Sequence, residues 1–127
     1  MKLEVLNLSK EFNNIRVVNK ITFSIEKNKT LGLLGPNGCG KTTSIGMMLG
    51  LITPSDGKIL INNQELNSRN RINLLSMMNF ASPYIELPKK LTVFENLNVY
   101  ARMYGIKNIN HRIQEMAEDL NLKNFLN

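Results

Sequence analysis

Hydrophobic and polar positions nearly alternate at the start of the chain. Leu3, Val5 and Leu8 stand against Lys2, Glu4 and Asn7, a pattern that predicts a half-exposed strand over residues 2–8. Phe12 follows in a polar bend. From Arg16 onward Ile21, Phe23 and Ile25 alternate with Lys20, Thr22 and Ser24, a second strand, and the run Glu-Lys-Asn-Lys at 26–29 reads as a turn. Residues 30–34 are almost continuously apolar, which predicts a third strand at the centre of a sheet, buried on both faces. Beyond it Ile45, Met48, Leu49 and Ile52 recur at the spacing of one helical face. Gly50 can cap that helix, and Pro54 with Gly57 marks a turn. Residues 58–61 predict a short strand and Asn62-Asn63 a hairpin-like turn. Residues 65–73 are polar and weakly patterned, and residues 76–81 predict a further strand that ends before Pro83.

The last third has a different period. Residues 82–90 carry two prolines and read as an irregular loop. Thr92 and Glu95 then have the spacing of a capping box, in which each side chain bonds the other residue's backbone N–H. Val93, Leu97, Tyr100, Ala101 and Tyr104 continue a helical face until Gly105 stops it, and a second helix begins near Asn110 with Ile113, Met116, Ala117 and Leu120 on one side. Leu122, Phe125 and Leu126 form a last apolar segment. The methionines at 47, 48, 77, 78, 103 and 116 fall at core-like spacings and read as packing. His111, the only histidine, lies in the first turn of the second helix with no patterned partner and reads as a solvent-exposed residue.

Between the apolar run and the first helix lies Gly35-Pro36-Asn37-Gly38-Cys39-Gly40-Lys41-Thr42-Thr43. It matches GxxxxGK[ST] at every fixed position, a match expected by chance roughly once in a few hundred chains of this length. Each residue type has a reason. Glycines allow positive φ and close approach of the backbone to a ligand. Successive N–H groups then form an anion nest, to which the helix beginning near Lys41 adds its own free N–H groups and positive dipole end. Lys41 would reach the β- and γ-phosphates of a polyphosphate, and the Thr42 hydroxyl would coordinate Mg²⁺.

Bulk properties narrow the setting. The 127 residues suffice for one domain or part of one, with 43% hydrophobic and 20% charged residues, a globular composition. No run approaches the length of a membrane span, and Glu4 interrupts what a signal peptide would keep apolar. The single cysteine, Cys39, excludes an internal disulfide; inside the loop it is either a thiol open to alkylation and shielded by nucleotide, or a filler of a variable position. The net charge of +6 comes from scattered basic residues without interleaved aromatics, so nucleic acid is not an expected partner.

Taken in order, these stretches resemble the ATP-binding domain of ABC transporters over essentially the whole chain. The likeness rests on three stretches. They are the two strands with Phe12 between them running into Leu-Gly-Leu-Leu-Gly-Pro-Asn-Gly-Cys-Gly-Lys-Thr-Thr, the segment Gly50-Leu51-Ile52 with Pro54, Asp56, Gly57 and Ile59, and Leu91-Thr92-Val93-Phe94-Glu95-Asn96-Leu97. The resemblance implies an α/β fold, a P-loop NTPase of the ABC type. Residues 1–29 would be an N-terminal antiparallel β-subdomain, residues 30–81 the P-loop core, and residues 82–127 the start of a helical subdomain within which the chain stops. It implies ATP and Mg²⁺ as ligands, with Phe12 stacked on adenine. A transmembrane permease subunit would dock at the loop bounded by Ser82 and Pro88, and a second ATP-binding subunit would complete a dimer on the cytoplasmic face of the membrane. The family's glutamine in that loop matches Pro83 or Ser82 here, neither of which is Gln. Its signature sequence, Mg²⁺-binding aspartate, water-orienting glutamate and switch histidine have no counterpart in these 127 residues, so binding of ATP without hydrolysis is expected. The rivals are a soluble ABC-type ATPase acting on DNA or ribosomes, a P-loop kinase for a small metabolite, and a non-catalytic nucleotide-binding module.

Overall fold

The two long alternating segments pair as a hairpin. In a computed structural model, which describes residues 1–82 and 86–126, β1 (Leu3–Phe12) and β2 (Ile15–Ile25) are antiparallel and joined at Asn13-Asn14. Both asparagines have positive φ, the conformation a two-residue hairpin turn needs to match the twist of its strands. Phe12 is therefore the last residue of β1, paired with Ile15, and not part of the bend. The side chains of Glu11 and Arg16, facing partners in this register, form an ion pair at 2.6 Å that fixes the hairpin end.

On its other edge β1 pairs antiparallel with β3 (Asp56–Ile61), which turns at Asn62-Asn63 into the two-residue β4 (Gln64–Glu65), giving the order β2-β1-β3-β4. One face of this sheet carries the core: Leu3, Val5, Leu8, Val18, Ile59 and Ile61, closed by Met47 of α1 (Lys41–Met48) and Leu74 of α2 (Arg71–Leu75). The short helix α2 begins in the stretch read as polar and weakly patterned and ends two residues beyond it.

The structure corrects four expectations inside this unit, which spans Met1–Phe80. Residues 30–34 form no strand, and Leu34 is 91% exposed. A strand buried on both faces needs a ladder partner at each edge, and among the described residues none pairs with this run. Residues 76–81 likewise form no strand; Ser76 ends α2, and Met77 and Met78 close its last turns through bonds to Leu74 and Leu75. Helix α1 ends at Met48, short of Ile52, and its buried positions are Ser44, Gly46 and Met47, so the inward line is shifted from the expected one. Gly50, at positive φ, ends that helix as expected, while Leu51 and Ile52 bond back to the Gly46 carbonyl. Of the methionines, Met77 here and Met103 below are exposed.

The second unit, Ala81–Asn127, is helical. Helix α3 (Val93–Met103) opens on the expected capping box: the Glu95 N–H donates to Thr92 Oγ1 at 3.1 Å, and the Thr92 N–H donates to Glu95 Oε2 at 2.8 Å. Gly105 ends it at positive φ, and α4 (Ile109–Asp119) follows. Ile113 and Ala117 of α4 pack with Leu126, and Phe94, Leu97 and Ile109 lean on them. Val93, Tyr100, Tyr104 and Leu120, expected on the inner faces, are exposed, because the packing line runs through Phe94 and Leu97. Of the loop 82–90, Pro83 and the two residues after it lie outside the described residues.

Candidate functional site: the glycine loop and the hairpin tip

The loop of residues 35–40 and the first turn of α1 form the candidate site. Cys39 N–H donates to the Pro36 carbonyl at 3.3 Å, closing a turn that doubles the chain back. Gly38 and Gly40 follow at positive φ, and Gly40 leads directly into α1. Only glycine fits at 40: besides its φ of 92°, a Cβ there would lie 2.6 Å from the Val17 carbonyl oxygen of β2. The loop thus rests against the hairpin strand. Ser44, one turn into α1, anchors it by donating both its N–H and its hydroxyl to the Gly40 carbonyl, at 2.8 and 2.9 Å.

Lys41 folds back over this loop. Its ammonium donates to the carbonyl oxygens of Gly35 and Pro36, both at 2.7 Å, and lies 3.8 Å from Cys39 Sγ. The charge is held over the loop by backbone oxygens, and no carboxylate pairs with it among the described residues. The N–H groups of Lys41, Thr42 and Thr43 belong to the opening turn of a helix, where no intrahelical acceptor precedes them. Thr42 is exposed, Lys41 and Thr43 are half-buried, and Pro36, Asn37, Gly38 and Cys39 lie at the surface. The opening N–H groups of α1, with the Lys41 ammonium and the Thr42 hydroxyl beside them, suit a polyanion and its counter-cation. The donor set therefore fits a nucleotide polyphosphate with Mg²⁺.

Phe12 lies at the tip of the hairpin that backs the loop. Val17, which backs Gly40, is two residues along β2 from Ile15, the pairing partner of Phe12, a span of roughly 7 Å. Phe12 is 44% exposed. The Lys10 ammonium sits 4.9 Å from its ring centroid while donating to the Thr53 carbonyl at 2.7 Å. Sequence reasoning singled out neither Lys10 nor Val17. With β1 extended to Phe12, the spacing i, i+2 puts Lys10 and Phe12 on one side of the strand, a signal that was present. The contact of Val17 with Gly40 had none, since it is made by backbone. Ser82 is described and half-buried; Pro83, the other position matched to the family's glutamine, lies outside the described residues.

Comparison with known proteins places this geometry. A protein-family model described as "ABC transporter" matches residues 18–127. The chain is 32% identical over 129 aligned positions to the lipopolysaccharide export system ATP-binding protein LptB of Haemophilus influenzae, covering 94% of this chain and 51% of that protein. It is 30% identical to the probable multidrug ABC transporter ATP-binding protein YbhF of Escherichia coli, over 97% of this chain and 22% of the other. Among solved structures, an ATP-binding subunit of an ABC transporter superposes with a TM-score of 0.79 at 27% identity, over 99% of this chain and 53% of that one. A putative ABC transporter ATP-binding protein from Pyrococcus furiosus gives 0.78 at 28% identity, over 100% and 60%. The chain spans 51% of LptB and less than two-thirds of each of the others. The chain belongs to the ABC transporter family, as part of its ATP-binding P-loop domain, here with an antiparallel sheet whose strands come from both sides of the loop.

Proposed function

We propose that this chain binds Mg-ATP, with the polyphosphate on residues 35–43 and the adenine on Phe12, as part of the ATPase subunit of a membrane transporter. The observation that carries the reading is the placement of Lys41, whose ammonium is held over the loop by two backbone carbonyls beside the opening N–H groups of α1. Phosphate oxygens are stronger acceptors for that ammonium than the neutral carbonyls of Gly35 and Pro36. Gly38, Gly40, Thr42 and Thr43 complete the anion site, and Thr42 Oγ1 is the protein's ligand for Mg²⁺, which when bound neutralises the phosphate charge. The names of the relatives, ATP-binding proteins of export and multidrug systems, support the transport role. Among the described residues no helix is long and apolar enough to cross a membrane. On this reading, which the relatives' names support, the ATPase subunit works at the cytoplasmic face with a transmembrane permease subunit, which docks on the loop bounded by Ser82 and Pro88, and with a second ATP-binding subunit.

Calorimetric titration of Mg-ATP into wild-type chain and Lys41→Ala tests the assignment. Binding by the wild type is expected, with the variant's affinity reduced by roughly a hundredfold or more. The variant keeps its fold, because the Lys41 ammonium bonds only loop atoms of residues 35, 36 and 39. Equal affinity of the two proteins would overturn the reading.

A further inference from the structure

The hairpin tip holds an arrangement that the phosphate loop does not explain. Lys10 is anchored at its charged end by the Thr53 carbonyl at 2.7 Å, and so anchored it stands 4.9 Å from the centre of the Phe12 ring. Thr53 belongs to the segment that follows α1, so the hydrogen bond ties that segment to the end of β1. No carboxylate pairs with Lys10 among the described residues, although Glu11 lies next to it in sequence. The Glu11 carboxylate is turned to Arg16 instead, with Nη2 at 2.6 Å and Nε at 2.8 Å. The Lys10 cation is thus committed to one carbonyl and one ring face, and Phe12 remains 44% exposed.

We infer that Lys10 is a positioning residue for nucleotide-base binding: its ammonium backs one face of Phe12, fixing the ring and leaving the opposite face as a platform for a purine. The inference rests on the Mg-ATP reading above. A cation over a phenyl ring is attracted by the ring's negative face and restricts the side chain's rotation. A base stacking on the other face then meets a ring already held in place, so less conformational freedom is lost on binding. The cation also withdraws electron density from the ring and eases the repulsion between two stacked π-faces. The anchoring carbonyl makes the arrangement specific. A long, flexible lysine side chain otherwise spreads over many rotamers, and the bond to Thr53 selects the one that places its charge over Phe12.

The test compares two ligands on one set of proteins, measuring affinities of Mg-ATP and of Mg-tripolyphosphate, which has the phosphate chain and no base. Lys10→Met keeps the apolar stem and removes the charge. It is expected to weaken ATP about two- to fivefold and leave tripolyphosphate unchanged. Phe12→Ala weakens ATP about tenfold or more, again without effect on tripolyphosphate, and adding Lys10→Met to it costs nothing further, since the lysine acts through the ring. Lys10→Arg, which keeps a cation, holds ATP affinity within about twofold of wild type. Circular dichroism of each variant confirms that the fold is retained. Equal weakening of both ligands by Lys10→Met would show a through-space charge effect and overturn the inference, as would unchanged ATP affinity. A wild-type chain that binds tripolyphosphate and ATP equally tightly removes any role for the ring, and with it this inference, while the phosphate site stands. A wild type that binds neither overturns the nucleotide reading and this inference together.

Discussion

The two units of the chain hold themselves together differently. Unit 1, Met1–Phe80, buries eight hydrophobic residues drawn from three strands and two helices, and its sheet joins segments as far apart in sequence as Leu3 and Ile61. Unit 2, Ala81–Asn127, has among its described residues three buried hydrophobic side chains, Ile113, Ala117 and Leu126, and compensates with short-range bonds: the capping box of α3, and the buried Asn96 amide, which donates to the carbonyls of Pro88, Leu91 and Thr92. A sheet-based core concentrates stability in non-local contacts, where one lost side chain is felt across several elements. A helix pair with a small core distributes it over local contacts, each of modest worth.

The largest expected effect falls in the sheet. Leu8 is fully buried in β1, so Leu8→Ala should destabilise unit 1 by about 2–5 kcal/mol, through lost transfer energy and the cavity left behind. Leu34→Ala, in the apolar run that found no ladder, should change stability by no more than about 0.5 kcal/mol. Urea unfolding of the two variants makes the contrast quantitative. Comparable losses would mean that residues 30–34 are buried in solution and that a sheet partner covers them.

The same contrast explains what could be read in advance. The start and stop of α3 were legible to the residue, because Thr92, Glu95 and Gly105 act on their immediate neighbours. So were the turn at Asn62-Asn63 and the outline of β1, β2 and β3. Apolar residues 30–34 carry a strand's composition, yet a strand exists only where another strand supplies hydrogen bonds, and composition does not say whether one is present. The helical face expected through Ile45 and Ile52 held only in part for a related reason: Met48 and Ile52 pack against the core, but Gly50 ends the helix before Ile52, and the position of the sheet decides that Met47 is the side chain fully inside. At the candidate site the loop chemistry was legible because a fixed spacing encodes it. Its support was not, since Val17 meets Gly40 through a main-chain oxygen and Lys10 reaches Phe12 only once β1 is known to extend that far. Asparagine was the most under-read residue. Of the nine non-glycine positions at positive φ among the described residues, eight are asparagines, and only one of the two Asn-Asn turns was anticipated.

In unit 2 the next effect down is the cap. Thr92→Ala removes the acceptor for the Glu95 N–H and leaves only the return bond from the residue 92 N–H to the Glu95 carboxylate, for an expected loss of about 1 kcal/mol. The loss should be local, seen as faster hydrogen exchange at Glu95 and its neighbours before any change in α4. An exchange profile identical to wild type would shift the credit for the start of α3 to its packing, chiefly the Phe94 N–H bond to the Leu126 carbonyl at 2.9 Å.

The smallest effect is electrostatic and separates the units by pH. Glu118, in the last turn of α4, pairs with Lys123 of the 3-10 turn Lys123–Phe125, which leads to the buried Leu126. The hydrogen bond from Lys123, and then its charge, hold the Glu118 carboxyl below its ordinary value of 4.5. Because the folded value is the lower one, the unfolded chain binds more protons between the two, so stability rises with pH across that window. The contribution is complete above 4.5 and is lost as the pH falls through the lowered folded value. Both side chains are more than half exposed, so the gain is small and weakens further with added salt. Urea midpoints measured from about pH 3 to 6 should show Glu118→Gln losing this part of the slope in unit 2 signals while unit 1 signals keep theirs. Superimposable profiles for the two proteins would mean that the ion pair closes without stabilising, leaving Leu126 to hold the 3-10 turn through its burial and its bond to the Phe94 N–H.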